Sequence, residues 1–192
     1  MRVLVSPAST HGGTAEIGRR IADVLRHHGL DVDVAQPEHL TDLDHYAGFV
    51  LGSAIYRGRW KQEAMDMLRD HSEVINSRPC WLFSSGPIAE NMPSETLRPG
   101  EEAKLLAASG AIEHRLFGGR LDLERLTQPE RWLARWARVR SGDSRPWDDI
   151  DRWATRVAAE LIAGPTGIPP VGAPSRSTKK RGPSITRPRR QL

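Results

Sequence analysis

Val3-Leu4-Val5, the loop from Ser6 to Gly13 with Ser9-Thr10-His11-Gly12-Gly13-Thr14, and the amphipathic run 15–28 decide the fold. A short apolar run reads as a buried strand, and Ile17, Ile21, Val24 and Leu25 recur at helical spacing before Gly29, a C-terminal stop. Outward from this unit the same alternation repeats. Val32 and Val34 mark a second strand and Phe49-Val50-Leu51 a third, between Gly48 and Gly52. A helix over about 60–74 turns Ala64, Met65 and Leu68 inward. Pro79 introduces a fourth strand, Cys80-Trp81-Leu82-Phe83, which ends at Ser84-Ser85-Gly86-Pro87. A helix near 100–109 precedes a fifth strand around Ile112 to Phe117. The last helix, about 148–162, repeats Ile150, Trp153, Ala154, Val157, Ala158 and Leu161. Continuous apolar strands separated by amphipathic helices predict one α/β domain with a parallel sheet covered on both faces.

Composition sets the limits of that domain. Of 192 residues, 38% are hydrophobic and 27% charged, which is polar yet enough for a core. The formal charge of +4 invites an anionic partner, so its location matters. Residues 164–192 hold seven Lys or Arg, six prolines and no Asp or Glu, leaving 21 basic against 24 acidic groups in residues 1–163. The basic excess therefore belongs to a Pro/Gly/Ser-rich segment read as a disordered tail, and the domain itself is slightly acidic. A nucleic-acid role would rest on that tail alone, and no nucleic acid is expected. The single cysteine, Cys80, excludes an internal disulfide and a cysteine metal cluster. No run reaches the ~18 to 20 apolar residues of a membrane span, and Met1 to Ser6 lacks a signal-peptide core. The expected location is cytoplasmic.

In an open parallel sheet, ligands bind at the carboxyl ends of the strands. Three loops there have suitable composition. Ser9 to Thr14 offers amides, hydroxyls and glycines at the positive end of a helix dipole, which suits a phosphate. It has no P-loop lysine and no dinucleotide fingerprint; the plainer reading is a polar connection capped by Thr14. Gly52-Ser53-Ala54-Ile55-Tyr56-Arg57-Gly58-Arg59-Trp60 sets aromatic and small residues on a loop tip, which suits a flat ring. Alternatively Tyr56 and Trp60 close over the core. Ser84 to Ile88 combines hydroxyls and amides, or is simply a turn with solvent-facing serines.

Taken together, these segments resemble the flavodoxin superfamily, in its menaquinone-dependent protoporphyrinogen-oxidase branch. Ser9 to Thr14 resembles the phosphate loop, with His11 in place of the usual Thr, a substitution similar to that branch. Gly52 to Tyr56 with Gly58-Arg59-Trp60, and Pro79 to Pro87, resemble its second and third loops. Phe117-Gly118-Gly119-Arg120-Leu121-Asp122, Gly142-Asp143 and Trp147-Asp148 with Ile150 and Trp153-Ala154 resemble its C-terminal pattern. The resemblance covers about 1–163, with an insert at about 118–147. It implies a five-stranded parallel sheet of order 2-1-3-4-5 with FMN at the switch point. It further implies that Ser9, Thr10, His11, Gly12, Gly13 and Thr14 receive the phosphate. Ser53, Ala54, Ile55, Tyr56, Ser84, Ser85, Gly86 and Pro87 would frame the ring and ribityl chain. The implied activity is porphyrinogen oxidation in haem biosynthesis, with electrons passed to a quinone. The alternative is an electron-transfer flavodoxin or quinone reductase without a porphyrin substrate.

No side chain is assigned as catalytic base from spacing. His11 serves phosphate binding as well as it serves proton movement, and His27 and His28 sit at a helix end where dipole contact accounts for them. His45, His71 and His114 lack ligand spacing, so no metal is expected. Within the insert, 129–140 reads as a basic helix with Trp132 and Trp136 on one face. Such a helix suits a peripheral contact at the inner membrane face, near a lipid quinone. Packing of that face on the domain is the preferred reading.

Overall fold

In the computed structural model, residues 1–86, 97–121, 142–143 and 145–164 are described. The sheet is built by β1 (Arg2–Ala8), β2 (Asp31–Val34), β3 (Gly48–Tyr56), β4 (Arg59–Trp60), β5 (Cys80–Ser85) and β6 (Glu113–Phe117). The parallel strands lie in the order β2-β1-β3-β5-β6. This is the expected five-stranded order, with β4 added as a short antiparallel partner at the end of β3.

Strand alternation divides the core in two. Val3 and Val5 of β1, Val50 of β3, and Trp81 and Phe83 of β5 face one layer. They are buried under Ile17, Ile21 and Leu25 of α1 (Gly13–His27) and Trp153, Val157 and Leu161 of α5 (Trp147–Ala163). Leu4, Phe49, Leu51, Cys80 and Leu82 face the other layer. They pack on Ala64, Met67 and Leu68 of α2 (Gln62–Asp70), Ile75 of α3 (Ser72–Asn76) and Leu105 of α4 (Glu101–Ser109). Each large side chain removed from water this way contributes about 1.5–3 kcal/mol before entropy is counted. All six apolar residues expected inward on the last helix are buried.

Helix α1 stops as its sequence requires. The Gly29 amide donates to the Arg26 carbonyl and the Leu30 amide to the Leu25 carbonyl, while Leu30 is buried. That is a Schellman motif with its apolar clasp.

Three boundaries differ from the sequence reading. β1 runs on through Ser6-Pro7-Ala8, because these residues pair with Leu51, Gly52 and Ser53 of β3. β3 likewise continues through Tyr56, so Ser53 to Tyr56 are strand residues and the second loop is a tight hairpin. The expected helix over 60–74 is divided at His71 into α2 and α3. Pro87, the 129–140 helix and the tail beyond 164 lie outside the described residues. The ends of the insert pair as β7 (Arg120–Leu121) with β8 (Gly142–Asp143). Among the described residues, no helix is long and apolar enough to cross a membrane.

Candidate functional site

The carboxyl ends of β1, β3 and β5 bring three segments to one edge of the sheet. The first is the turn after β1. Ser9 Oγ accepts the Gly12 amide at 3.1 Å, curling the loop back on itself. Gly12 then caps α1 at φ 84°, a left-handed conformation in which glycine carries no steric cost. Among the described residues, no side chain caps the helix. The Glu16 amide closes the first turn on the Gly12 carbonyl, so the amides of Gly13, Thr14 and Ala15 have no acceptor within the helix. Thr14, read from sequence as a candidate cap, instead faces Ser85, with 2.6 Å between the two buried hydroxyl oxygens. The 9–14 turn is thereby tied to the end of β5.

Serines split between the two faces of the sheet. Ser85 faces α1, whereas Ser53 and Ser84 face the α2–α4 layer. Ser53 Oγ donates to the Ala54 carbonyl and accepts the Lys61 amide, at 2.8 and 2.9 Å, pinning the hairpin base. Ser84 Oγ accepts the indole N–H of buried Trp60 at 2.7 Å and lies 2.8 Å from His114 Nε2. His114 Nδ1 in turn lies 2.9 Å from Glu102 Oε1 on α4. Both ring nitrogens of His114 are thus engaged, one by the Ser84 hydroxyl and one by the Glu102 carboxylate. This chain of four residues fixes the hairpin against β5 and β6. The hydroxyls of Ser53 and Ser84 are thus committed to the scaffold. Ala54 is half-buried, Ile55 is buried, Gly86 is half-buried, and Tyr56 is 39% exposed. The Tyr56 ring stands 6.5 Å from that of His11, edge-on, so the hairpin reaches across to the 9–14 turn.

Arg145 was not foreseen. Its side chain is 4% exposed and pairs with Glu16 in the first turn of α1 and with Asp143 of β8, each at 2.5 Å. The guanidinium also lies 4.4 Å over the Trp147 ring. These partners hold it firmly protonated, the Asp143 hydrogen bond contributing most. Arg145 therefore neutralises a carboxylate beside the 9–14 turn and clasps the exit of the insert onto α1. Sequence spacing carries no trace of a pairing between residues 16 and 145. Elsewhere, burial pushes the Cys80 thiol well above its ordinary range, so it is an inert core residue. No group of His, Cys, Asp and Glu among the described residues has the arrangement of a metal site.

The edge thus offers uncapped helix amides, the hydroxyls of Ser9 and Thr10, and no carboxylate in the 9–14 turn. That donor set fits a phosphate monoester.

Comparison with known proteins agrees with this geometry. The flavodoxin-domain family model matches residues 4–142. Protoporphyrinogen IX dehydrogenase [quinone] of Escherichia coli strain K12 is 24% identical over 106 residues, which are 54% of this chain and 59% of that protein. The match thus spans little more than half the length of these curated relatives. Oxidised flavodoxin 1 from Bacillus cereus superposes with a TM-score of 0.54 at 17% identity, over 85% of this chain and 98% of that one. A flavodoxin from Streptococcus pneumoniae TIGR4 gives 0.55 at 19%, over 85% and 99%. At such identities the two structures establish the fold. The family match, over well more than half of the chain, establishes that it belongs to the flavodoxin-domain family, which implies FMN as its cofactor.

Proposed function

We propose that the protein is an FMN-dependent oxidoreductase that dehydrogenates a porphyrinogen and passes the electrons to a quinone, in the manner of a protoporphyrinogen IX dehydrogenase. The observation that carries this reading is the similarity to the Escherichia coli dehydrogenase, joined to a site whose three segments fit the cofactor. Bound FMN supplies the acceptor for two electrons, and the protein supplies position and electrostatics.

Each part of the chain has a task in that scheme. The amides of Gly13 and Thr14, with Ser9, Thr10, His11 and the Gly12 turn, would hold the phosphate at the positive end of α1. Arg145 removes the repulsion that Glu16 would otherwise exert there. Ser53 to Tyr56 and Ser84 to Gly86 flank the ring, mainly through main chain, because the Ser53 and Ser84 hydroxyls are engaged within the scaffold. Tyr56, exposed beside His11, would pack against the ring. No described side chain is assigned as the base that collects the substrate's protons.

The second reading is an electron-transfer flavodoxin without a porphyrin substrate, favoured by the near-complete coverage of the Bacillus cereus flavodoxin. The modest acidity of residues 1–163 weighs against a carrier that docks by charge. One anaerobic assay separates the two. FMN-loaded protein is mixed with protoporphyrinogen and a menaquinone analogue, and porphyrin fluorescence is followed. Porphyrin formed only when both are present supports the dehydrogenase. Reduced protein that ignores porphyrinogen yet reduces a redox-protein partner supports the carrier.

A further inference from the structure

The hairpin between β3 and β4 turns through two residues, Arg57 and Gly58. Both have positive φ, 51° and 76°, as a type I′ turn requires. Such turns take Asn, Asp or Gly at the first position, because a longer side chain in the left-handed region crowds its own backbone. Arg57 is the one non-glycine residue with positive φ among the described residues. Its side chain is exposed and makes no hydrogen bond or ion pair there to offset that strain. A cation kept at a conformational cost, with no return to the fold, points to a role outside the fold.

Its surroundings indicate which. Tyr56, next in sequence, is an exposed ring at the proposed flavin site and faces His11. Arg59 is exposed on the other arm of the hairpin, paired across from Tyr56. Arg98 lies against the turn: its amide donates to the Gly58 carbonyl at 2.9 Å, and a Cβ at 58 would meet Arg98 Cγ at 2.6 Å. Glu101 is the acidic group near Arg59 and Arg98, and its carboxylate is already taken by Lys104 at 2.8 Å. The lip beyond Tyr56 is therefore basic, with a flat aromatic surface beside it.

We infer that Arg57, with Arg59 and Arg98 flanking it, is a carboxylate-binding site that orients an anionic, flat substrate over Tyr56 at the mouth of the cleft. The inference rests on the proposed function and narrows its substrate to a macrocycle whose propionate side chains reach the arginines. Such exposed pairs are weak and screened by salt, so the effect is one of affinity and orientation.

The test uses the full, FMN-loaded chain, titrated with protoporphyrin IX and with its dimethyl ester, both in the same neutral detergent, at low ionic strength. Arg57→Gln and Arg57→Gly are compared with the parent and with Arg57→Lys. Both charge-removing variants are expected to bind the free acid about fivefold more weakly, with the difference shrinking at 0.5 M salt as screening sets in. Ester binding and FMN affinity stay unchanged, Arg57→Lys restores most of the loss, and Arg57→Gly is at least as stable as the parent. Equal binding of the acid by parent and variants, or equal losses for acid and ester, overturns the inference. The same variants in the anaerobic assay keep the two claims apart. No turnover by the parent, together with Arg57-dependent binding, refutes the dehydrogenase reading alone. Turnover with a KM indifferent to Arg57 refutes the carboxylate site alone.

Discussion

Replacing Arg145 by methionine keeps most of the side-chain volume and removes the charge. The guanidinium is almost fully buried, whereas Glu16 and Asp143 remain 27% and 43% exposed at the side chain. Breaking a fully buried pair costs about 3–5 kcal/mol, because the abandoned partner keeps its desolvation penalty. Here water reaches both carboxylates once the arginine is gone, and the dipole of α1 stabilises Glu16. The loss falls to about 2 kcal/mol, including the cation–π contact with Trp147. For a chain of this size that is a fall in Tm of roughly 4–8 °C. Urea denaturation followed by far-UV circular dichroism measures it, and the Glu16→Gln background gives the coupling. If the account is right, Arg145→Met costs clearly less in Glu16→Gln than in the parent, because one of the two carboxylates that Arg145 pairs is already neutral. Equal costs in both backgrounds, or no loss at all, would refute the ionic clasp between α1 and the insert.

Two further outcomes follow from the core. Gly52→Ala places a Cβ 2.2–2.5 Å from three ring atoms of Phe83, itself boxed in by Phe117 and Trp153. The ring has nowhere to retreat, so a loss of about 3 kcal/mol in urea denaturation is expected; a loss under about 1 kcal/mol would mean that the layer is looser than described. Alkaline pH acts through Cys80, raised by burial, and Tyr46, raised to about 12 by burial and by its hydrogen bond to Asp33. Both groups ionise more readily in the unfolded chain, so this stability is complete below the ordinary thiol pKa and drains away as pH rises past it. At pH 10 the thiol alone accounts for about 2 kcal/mol. Denaturation midpoints between pH 7 and 10 should fall accordingly, and more gently in Cys80→Ala.

What the sequence disclosed depended on the range of the interactions involved. Local periodicity was enough for α5, whose six inward residues follow from i, i+3 and i+4 spacing alone. It was also enough for the strand cores, which are uninterrupted apolar runs. The far ends of β1 and β3 were read as loops because Ser6-Pro7-Ala8 and Gly52-Ser53-Ala54 have little strand propensity; they are strand because they pair with each other. The Arg57-Gly58 turn was legible as a two-residue signal between Tyr56 and Arg59, yet lay inside a stretch read as one loop. Arg145 with Glu16, and Trp60-Ser84-His114-Glu102, join residues distant in sequence. Their parts are ordinary polar residues, and only the fold brings them together.

The central claim is that the turn after β1 holds the phosphate of FMN. Titration of the apoprotein with FMN and with riboflavin, followed by flavin fluorescence, tests it most directly. Two charge-assisted hydrogen bonds from the α1 amides are worth about 3 kcal/mol. The account therefore predicts one FMN per chain, bound at least ~100-fold more tightly than riboflavin. Equal affinity for the two flavins, or no binding of either, would contradict it.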